Sequence, residues 1–214
     1  LSVTGPLQVA PSIHELPGGA SSALFLILSA ALLTQSDVTV EHVGVDLKSR
    51  RMLDLLRRMN VSFELTRTQT ETKFNTRQIQ VKGSELRSVK IAKAYSELFM
   101  DELPFLAIVG ASSPGETIIR DAAHLREGDT DSISLLVENL RNMQIQVGEM
   151  PDGLVIKGGR LQGTTVDAKG DARIGLALIL GGLAAEGETT VLNPGPVREE
   201  YPGILERIDI LDRV

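Results

Sequence analysis

Leu103-Pro-Phe-Leu-Ala-Ile-Val-Gly-Ala-Ser-Ser-Pro-Gly-Glu-Thr-Ile-Ile-Arg-Asp-Ala122 is the stretch whose reading decides the fold. It runs from an apolar, helix-like segment through a polar Gly turn into a Thr-rich strand. The sequence writes this pair three times, the other copies being Ala23 to Val43 and Arg173 to Asn193. Their strands are Val38-Thr-Val-Glu-His-Val43, Glu116-Thr-Ile-Ile-Arg-Asp121 and Glu188-Thr-Thr-Val-Leu-Asn193, starting 78 residues apart (38 to 116) and then 72 (116 to 188). A period of that size marks a supersecondary unit rather than a short solenoid repeat.

Each strand is followed by an amphipathic helical pattern, at Arg51 to Met59, Ser132 to Met143 and Pro202 to Leu211. In the first two copies a β-like pair comes next: Val61 to Leu65 with Gln78 to Lys82, then Ile145 to Gly148 with Leu154 to Lys157. The third copy has no such pair. Leu1-Ser-Val-Thr-Gly5 nevertheless reads like Ile79-Gln-Val-Lys-Gly83 and Leu154-Val-Ile-Lys-Gly158. The expectation is that residues 1–9 fill one open strand position and that a segment outside this chain fills the other, because an unpaired sheet edge invites pairing.

Helices that are apolar nearly all round, alternating with short strands, predict an α/β (α+β) architecture with helices buried beneath sheets. Ser21 or Ser22, Asp101 and Asp171 are the expected N-caps of the three apolar helices, and the Asp129-Thr130-Asp131 run caps the helix that follows it. Residues 66–77, Thr-rich and charged, read as a long hairpin loop.

Composition excludes several classes of function. The 214 residues contain no Cys, which removes disulfides, thiolate metal sites and cysteine nucleophiles. The three His (His14, His42 and His124) lack zinc-site spacing. A net charge of −6 without a basic stripe argues against nucleic acid. The longest apolar run, Ala23 to Leu33, is shorter than the roughly 20 residues that span a bilayer, so a cytoplasmic protein without a membrane segment is expected.

Chemistry is expected in the loops at the apolar helices. Gly18-Gly19 followed by Ser21-Ser22 can present backbone N–H groups to an anion, but Ser capping the helix is the better reading of them. Asp101 can cap a helix or serve as a general base. Arg173 stands at a helix start, where its charge opposes the dipole, and that placement points to an anionic partner.

Together these fragments resemble the C-terminal half of the EPSP synthase family, the enolpyruvyl transferases of the shikimate pathway. The stretches that carry the resemblance are Pro17-Gly-Gly-Ala-Ser-Ser-Ala23, Asp101-Glu-Leu-Pro104, Gly115-Glu-Thr117, Arg120, Arg126 with Asp129-Thr-Asp131, Pro151 to Gly158, Gly170-Asp-Ala-Arg173, Leu183 to Gly187 and Tyr201-Pro202. The resemblance implies an inside-out α/β barrel lobe over residues 1–214, built of βαβαββ units at about 10–83, 84–159 and 160–214 plus a strand at 1–9, the third unit incomplete. It implies a partner N-terminal lobe, supplied in cis or in trans, and calls for no cofactor and no metal.

The implied reaction moves the enolpyruvyl group of phosphoenolpyruvate to the 5-hydroxyl of shikimate 3-phosphate. By matching positions Asp101 is the base on that hydroxyl and Asp129 replaces a Glu active in proton transfer. Arg173 matches a phosphoenolpyruvate ligand, while His124 (in place of an Asn), Arg126 and Arg198 fall among the substrate-binding positions. The chain departs from the family where Gly128 replaces a Lys, Ser132 an Arg and Ala172 a His, and where the position of a further Lys falls on Glu199 or, with the alignment slipped by one, on Arg198. At about 1.5–3 kcal/mol for each charge-assisted contact, these losses imply a weak, altered or inactive enzyme, and the isolated lobe is expected to be inactive. The alternatives are a non-catalytic scaffold or anion-binding relative, and a lobe like that of UDP-N-acetylglucosamine enolpyruvyl transferase.

Overall fold

Three apolar helices lie side by side, each beneath a sheet of its own, in the computed structural model, which describes residues 19–32, 37–67, 76–128 and 130–206. The predicted strand at 1–9, the tip of the 66–77 loop, Asp129 and the end of the predicted 202–211 helix lie outside the described residues. The first group of elements is α1 (Ala20–Leu32), β1 (Asp37–Gly44), α2 (Leu47–Arg58), β2 (Ser62–Arg67) and β3 (Thr76–Lys82). The second is β4 (Lys90–Ile91), α3 (Ala94–Leu98), α4 (Leu103–Ser112), β5 (Glu116–Ile119), a 3-10 turn (Ala123–Arg126), α5 (Ser132–Asn142), β6 (Gln146–Met150) and β7 (Gly153–Lys157). The third is β8 (Thr165–Asp167), α6 (Ala172–Ala184), β9 (Thr190–Leu192) and α7 (Val197–Glu200).

Pairing repeats from group to group. β3 lies between β1 and β2, as β7 lies between β5 and β6, all antiparallel. β4 runs parallel to β5 and β8 parallel to β9. The second group is therefore one βαβαββ unit with its sheet in the order β4-β5-β7-β6. Register fixes the repeat more finely than composition does: Asp37 pairs with Lys82 as Glu116 pairs with Lys157, which makes the first interval 79 residues (37 to 116) rather than 78. His42, at the register irregularity inside β1, and Asp121 and Asn193, just beyond β5 and β9, all take left-handed φ, at the same 79 and 72 spacing (42 to 121 to 193).

The core sits between the helices. Leu103 to Ala111 of α4 are buried without exception, and α4 touches both α1 and α6 while also lying on β5 and β7. A helix with no polar side has to be covered on every side, and here two sister helices and a sheet cover it. Each fully buried Leu or Ile, such as Leu106, Ile108 and Leu178, contributes about 1.5–3 kcal/mol of transfer free energy. The amphipathic α2 and α5 bury one face only.

Some local expectations need correction. Ser21 and Ser22 lie within the first turn of α1, which begins at Ala20, so neither is the cap. Asp101 is not the cap of α4 either. That position falls to Glu102, which is in the αR conformation and makes no side-chain cap bond. The reason is α3: the chain reaches α4 through a continuous set of helical turns, with the Glu102 and Leu103 N–H groups bonded to the Phe99 carbonyl, and a capping residue needs extended backbone. The last helical segment expected, Pro202 to Leu211, is helical at 204–206 after a turn at Pro202 and Gly203, the rest lying outside the described residues, and the short α7 at Val197–Glu200 precedes it as an element that the sequence did not announce.

Gly175, in the second turn of α6, packs against the loop that follows β9. A Cβ there would lie 2.3 Å from the Pro194 carbonyl oxygen. Gly→Ala inside a helix ordinarily stabilises by about 0.5–1 kcal/mol. Gly175→Ala is expected to have the opposite sign, a loss of about 1–3 kcal/mol from overpacking, read as a lower denaturant midpoint.

Candidate functional site

The loops that lead into α4, α5 and α6 meet around one open cleft of about 950 Å3. Asp171 organises its floor. One carboxylate oxygen caps α6, accepting from the Arg173 and Ile174 N–H groups at 2.9 and 3.1 Å. The other accepts from the Thr130 hydroxyl at 3.1 Å and, at 3.5 Å, from Ser132, which fastens the α5 entrance to the α6 entrance. Asp131 caps α5 by accepting from the Ser134 N–H at 3.0 Å.

Arg173 reaches from the first turn of α6 across the cleft to Asp101, with Nη1 2.8 Å from Oδ1. Its Nε is 3.7 Å from Asp171 Oδ1. Burial alone would pull the guanidinium pKa down, but the Asp101 hydrogen bond and the charges of Asp171 and Asp101 outweigh it and leave the value raised. Tyr201 stands beside the pair. Burial first, and then the Glu200 carboxylate, push its phenol up to about 12, so it stays a protonated donor at neutral pH. His124 lines the same cleft, and its buried Nε2 has no hydrogen-bond partner among the described residues. Lys169 also lines it, held to Glu138 at 2.9 Å.

Asp101, His124 and Arg173 are thus brought together, and Arg126 and Arg198 are not. All five Arg126 N–H groups are engaged: Nε with the Pro151 carbonyl, Nη1 with Asp131 and Ser134, and Nη2 with Glu149 and the Met150 carbonyl. The side chain expected to hold substrate instead ties the α5 entrance to the β6–β7 hairpin. Arg198 is exposed and pairs with Glu206 at 3.0 Å. Asp129 lies outside the described residues.

Tyr201, Thr130 and Lys169 were missed as cleft residues. Tyr201 carried a signal as one of only two Tyr in the chain, while Lys169 is placed by its left-handed backbone in the turn after β8, which residue type does not reveal. Three of the four departure positions, Gly128, Ser132 and Ala172, line the cleft; in the α7 region the lining residue is Glu200 rather than Glu199. No group of three or more potential metal ligands occurs among the described residues, and no described helix is long and apolar enough to cross a membrane.

Helices inside, sheets outside and polar loops gathered at the helix entrances define a lobe of the enolpyruvyl-transferase fold. EPSP synthase from Acinetobacter baumannii superposes with a TM-score of 0.81 at 26% identity, over 89% of this chain and 45% of that one. The enolpyruvyl transferase NikO from Streptomyces tendae shares the fold at 23% identity, with a TM-score of 0.68 over 89% of this chain and 42% of that one. The 3-phosphoshikimate 1-carboxyvinyltransferase of Acaryochloris marina is 34% identical over 212 residues, which are 99% of this chain and 48% of that protein. The family model for EPSP synthase (3-phosphoshikimate 1-carboxyvinyltransferase) matches residues 1–208, and the chain belongs to that family. It spans about half the length of the curated relatives it matches.

The Arg126 cluster makes acid stability testable. Glu149 is held below its ordinary 4.5 chiefly by the Arg126 hydrogen bond. For Asp131 burial pushes upward, but the Ser134 N–H and Arg126 bonds prevail and hold it below 3.8. Both carboxylates are depressed in the folded state, so their stabilisation is complete above the unfolded values and disappears as pH falls through the folded ones. Arg126→Met is expected to lower the urea midpoint at pH 7 while flattening its decline between pH 5 and pH 3 relative to the wild type.

Proposed function

We propose that this chain is the lobe of a two-lobed enolpyruvyl transferase that contributes a base and an anion ligand, and that it does not turn over alone. The observation that carries the reading is the convergence of Asp101, His124 and Arg173 on one cleft from the entrances of three different helices, α4, α5 and α6. The substrates are phosphoenolpyruvate and shikimate 3-phosphate.

The roles follow from the chemistry of each group. The Arg173 guanidinium suits the carboxylate or phosphate of phosphoenolpyruvate, because its planar fork matches those oxygens. A free Asp101 carboxylate takes the proton of the 5-hydroxyl as that oxygen attacks the enolpyruvyl carbon, and inorganic phosphate leaves later. His124 Nε2, without a partner among the described residues, is available to a substrate oxygen, and the Tyr201 O–H is a donor at the same wall. The cleft is open on one side, and a second lobe closing over it would exclude water and strengthen every charge contact inside. Asp129, by its family position, supplies the second proton transfer.

A second reading has its own support. Gly128, Ser132 and Ala172 bring no charge to the cleft, and the two cations lining it, Lys169 and Arg173, are both paired within the chain. That pattern favours a relative that keeps the scaffold and binds an anion without catalysis.

Phosphate release from phosphoenolpyruvate and shikimate 3-phosphate separates the readings. The chain alone is expected to release none. With the N-terminal half of a curated relative added, the enzyme reading expects release above background, abolished by Asp101→Asn. Release by the chain alone contradicts the proposed dependence on a second lobe. Calorimetric binding of both substrates to the pair of lobes without release supports the scaffold reading.

A further inference from the structure

The cleft already holds an anion of its own. Arg126 and Arg173 are both partly buried arginines at loop junctions, yet they are used differently. Arg126 has every donor filled, whereas the Arg173 guanidinium makes a single hydrogen bond among the described residues, to Asp101. With Nε–H facing Asp171 at 3.7 Å, three Nη N–H groups of Arg173 remain for a ligand.

Asp101 is equally unusual among the loop carboxylates. Asp46, Asp131 and Asp171 all cap helices, while Asp101 caps none of the described helices and makes its one hydrogen bond among the described residues to Arg173, 72 residues away. Nothing local holds its carboxylate there. The pair is half open to solvent, with side-chain exposures of 39% for Arg173 and 59% for Asp101, and an ion pair of that kind is weak enough for a ligand anion to displace. The Arg173 backbone, by contrast, is fixed by the Asp171 cap, so the guanidinium stays at the cleft when its partner leaves.

We propose that Asp101 is an internal occupant of the Arg173 anion site, and that a phosphate or carboxylate ligand displaces it. The Asp101–Arg173 pair is the resting state of the cleft. Arrival of the anion and release of the Asp101 carboxylate are one event, which rests on the base role proposed above: the base becomes free only when the anionic substrate is in place. By linkage, whatever removes the Asp101 charge strengthens anion binding at Arg173.

The test uses the 214-residue chain and inorganic phosphate, titrated by calorimetry and by amide and Arg Nε–H resonances at low ionic strength. Asp101→Asn is expected to tighten phosphate binding about fivefold, from loss of a competing exposed pair. The Arg173 Nε–H resonance is expected to shift on titration, and Arg173→Gln to abolish binding with either residue at position 101. Asp101→Ser serves as a second variant with the same expected direction, and thermal melts and amide spectra establish folding. Phosphate binding at Arg173 that is unchanged or weaker in both Asp101 variants overturns the displacement proposal and leaves Arg173 as an anion ligand. Absence of phosphate binding in the wild type and both variants overturns the proposal and the assignment of Arg173 to the substrate anion together.

Discussion

A helix without a polar face cannot lie on a surface, and this constraint governs the molecule. α4 has no exposed side, and α6 has only a narrow one. They solve the problem by packing on each other and on α1, while sheets close the outside. The close approach sets steric terms that sequence must meet: a Cβ on Gly110 would sit 2.8 Å from the Thr117 side chain, and one on Gly175 would strike the Pro194 carbonyl. Outside positions for the sheets, and amphipathic α2 and α5 alongside them, follow from that central choice.

The same packing gathers the helix entrances, where polar groups are needed. Each contact there ties one repeat to the next. Lys48, in the first turn of α2, pairs at 2.8 Å with Glu102, which is only 1% exposed, at the start of α4. Thr130 and Ser132 reach Asp171 at the start of α6, and Asp101 reaches Arg173. A carboxylate buried as deeply as Glu102 tolerates its place because a cation is beside it, and losing one partner of such a pair is far more costly than never having had either. The cleft is the polar counterpart of the apolar core.

Fold was legible where pattern is long and site was legible where chemistry is local. The three Thr-rich strands and their apolar helices stand out because ten or more residues speak together. β4 and β8, two and three residues long, leave too few positions for any period, and α3 disappears beside the longer α4. Asp171 and Asp131 were readable as caps because a cap acts on residues two and three positions ahead. The use of Asp101 was not readable that way, since its contact is 72 residues distant and depends on how α4 and α6 lie together. Arg126 shows the same limit from the other side: family position suggests a ligand, and the five contacts that make it a clamp in the structure lie up to 25 residues away in sequence.

Amide hydrogen exchange of the 214-residue chain tests the central claim most directly. If the mutual burial of α1, α4 and α6 is what the structure rests on, amides in the middle of α4 and α6 exchange slowest, at the rate of global unfolding, and the β2–β3 and β6–β7 hairpins exchange sooner. Hairpin amides that outlast those of α4 and α6 would contradict it.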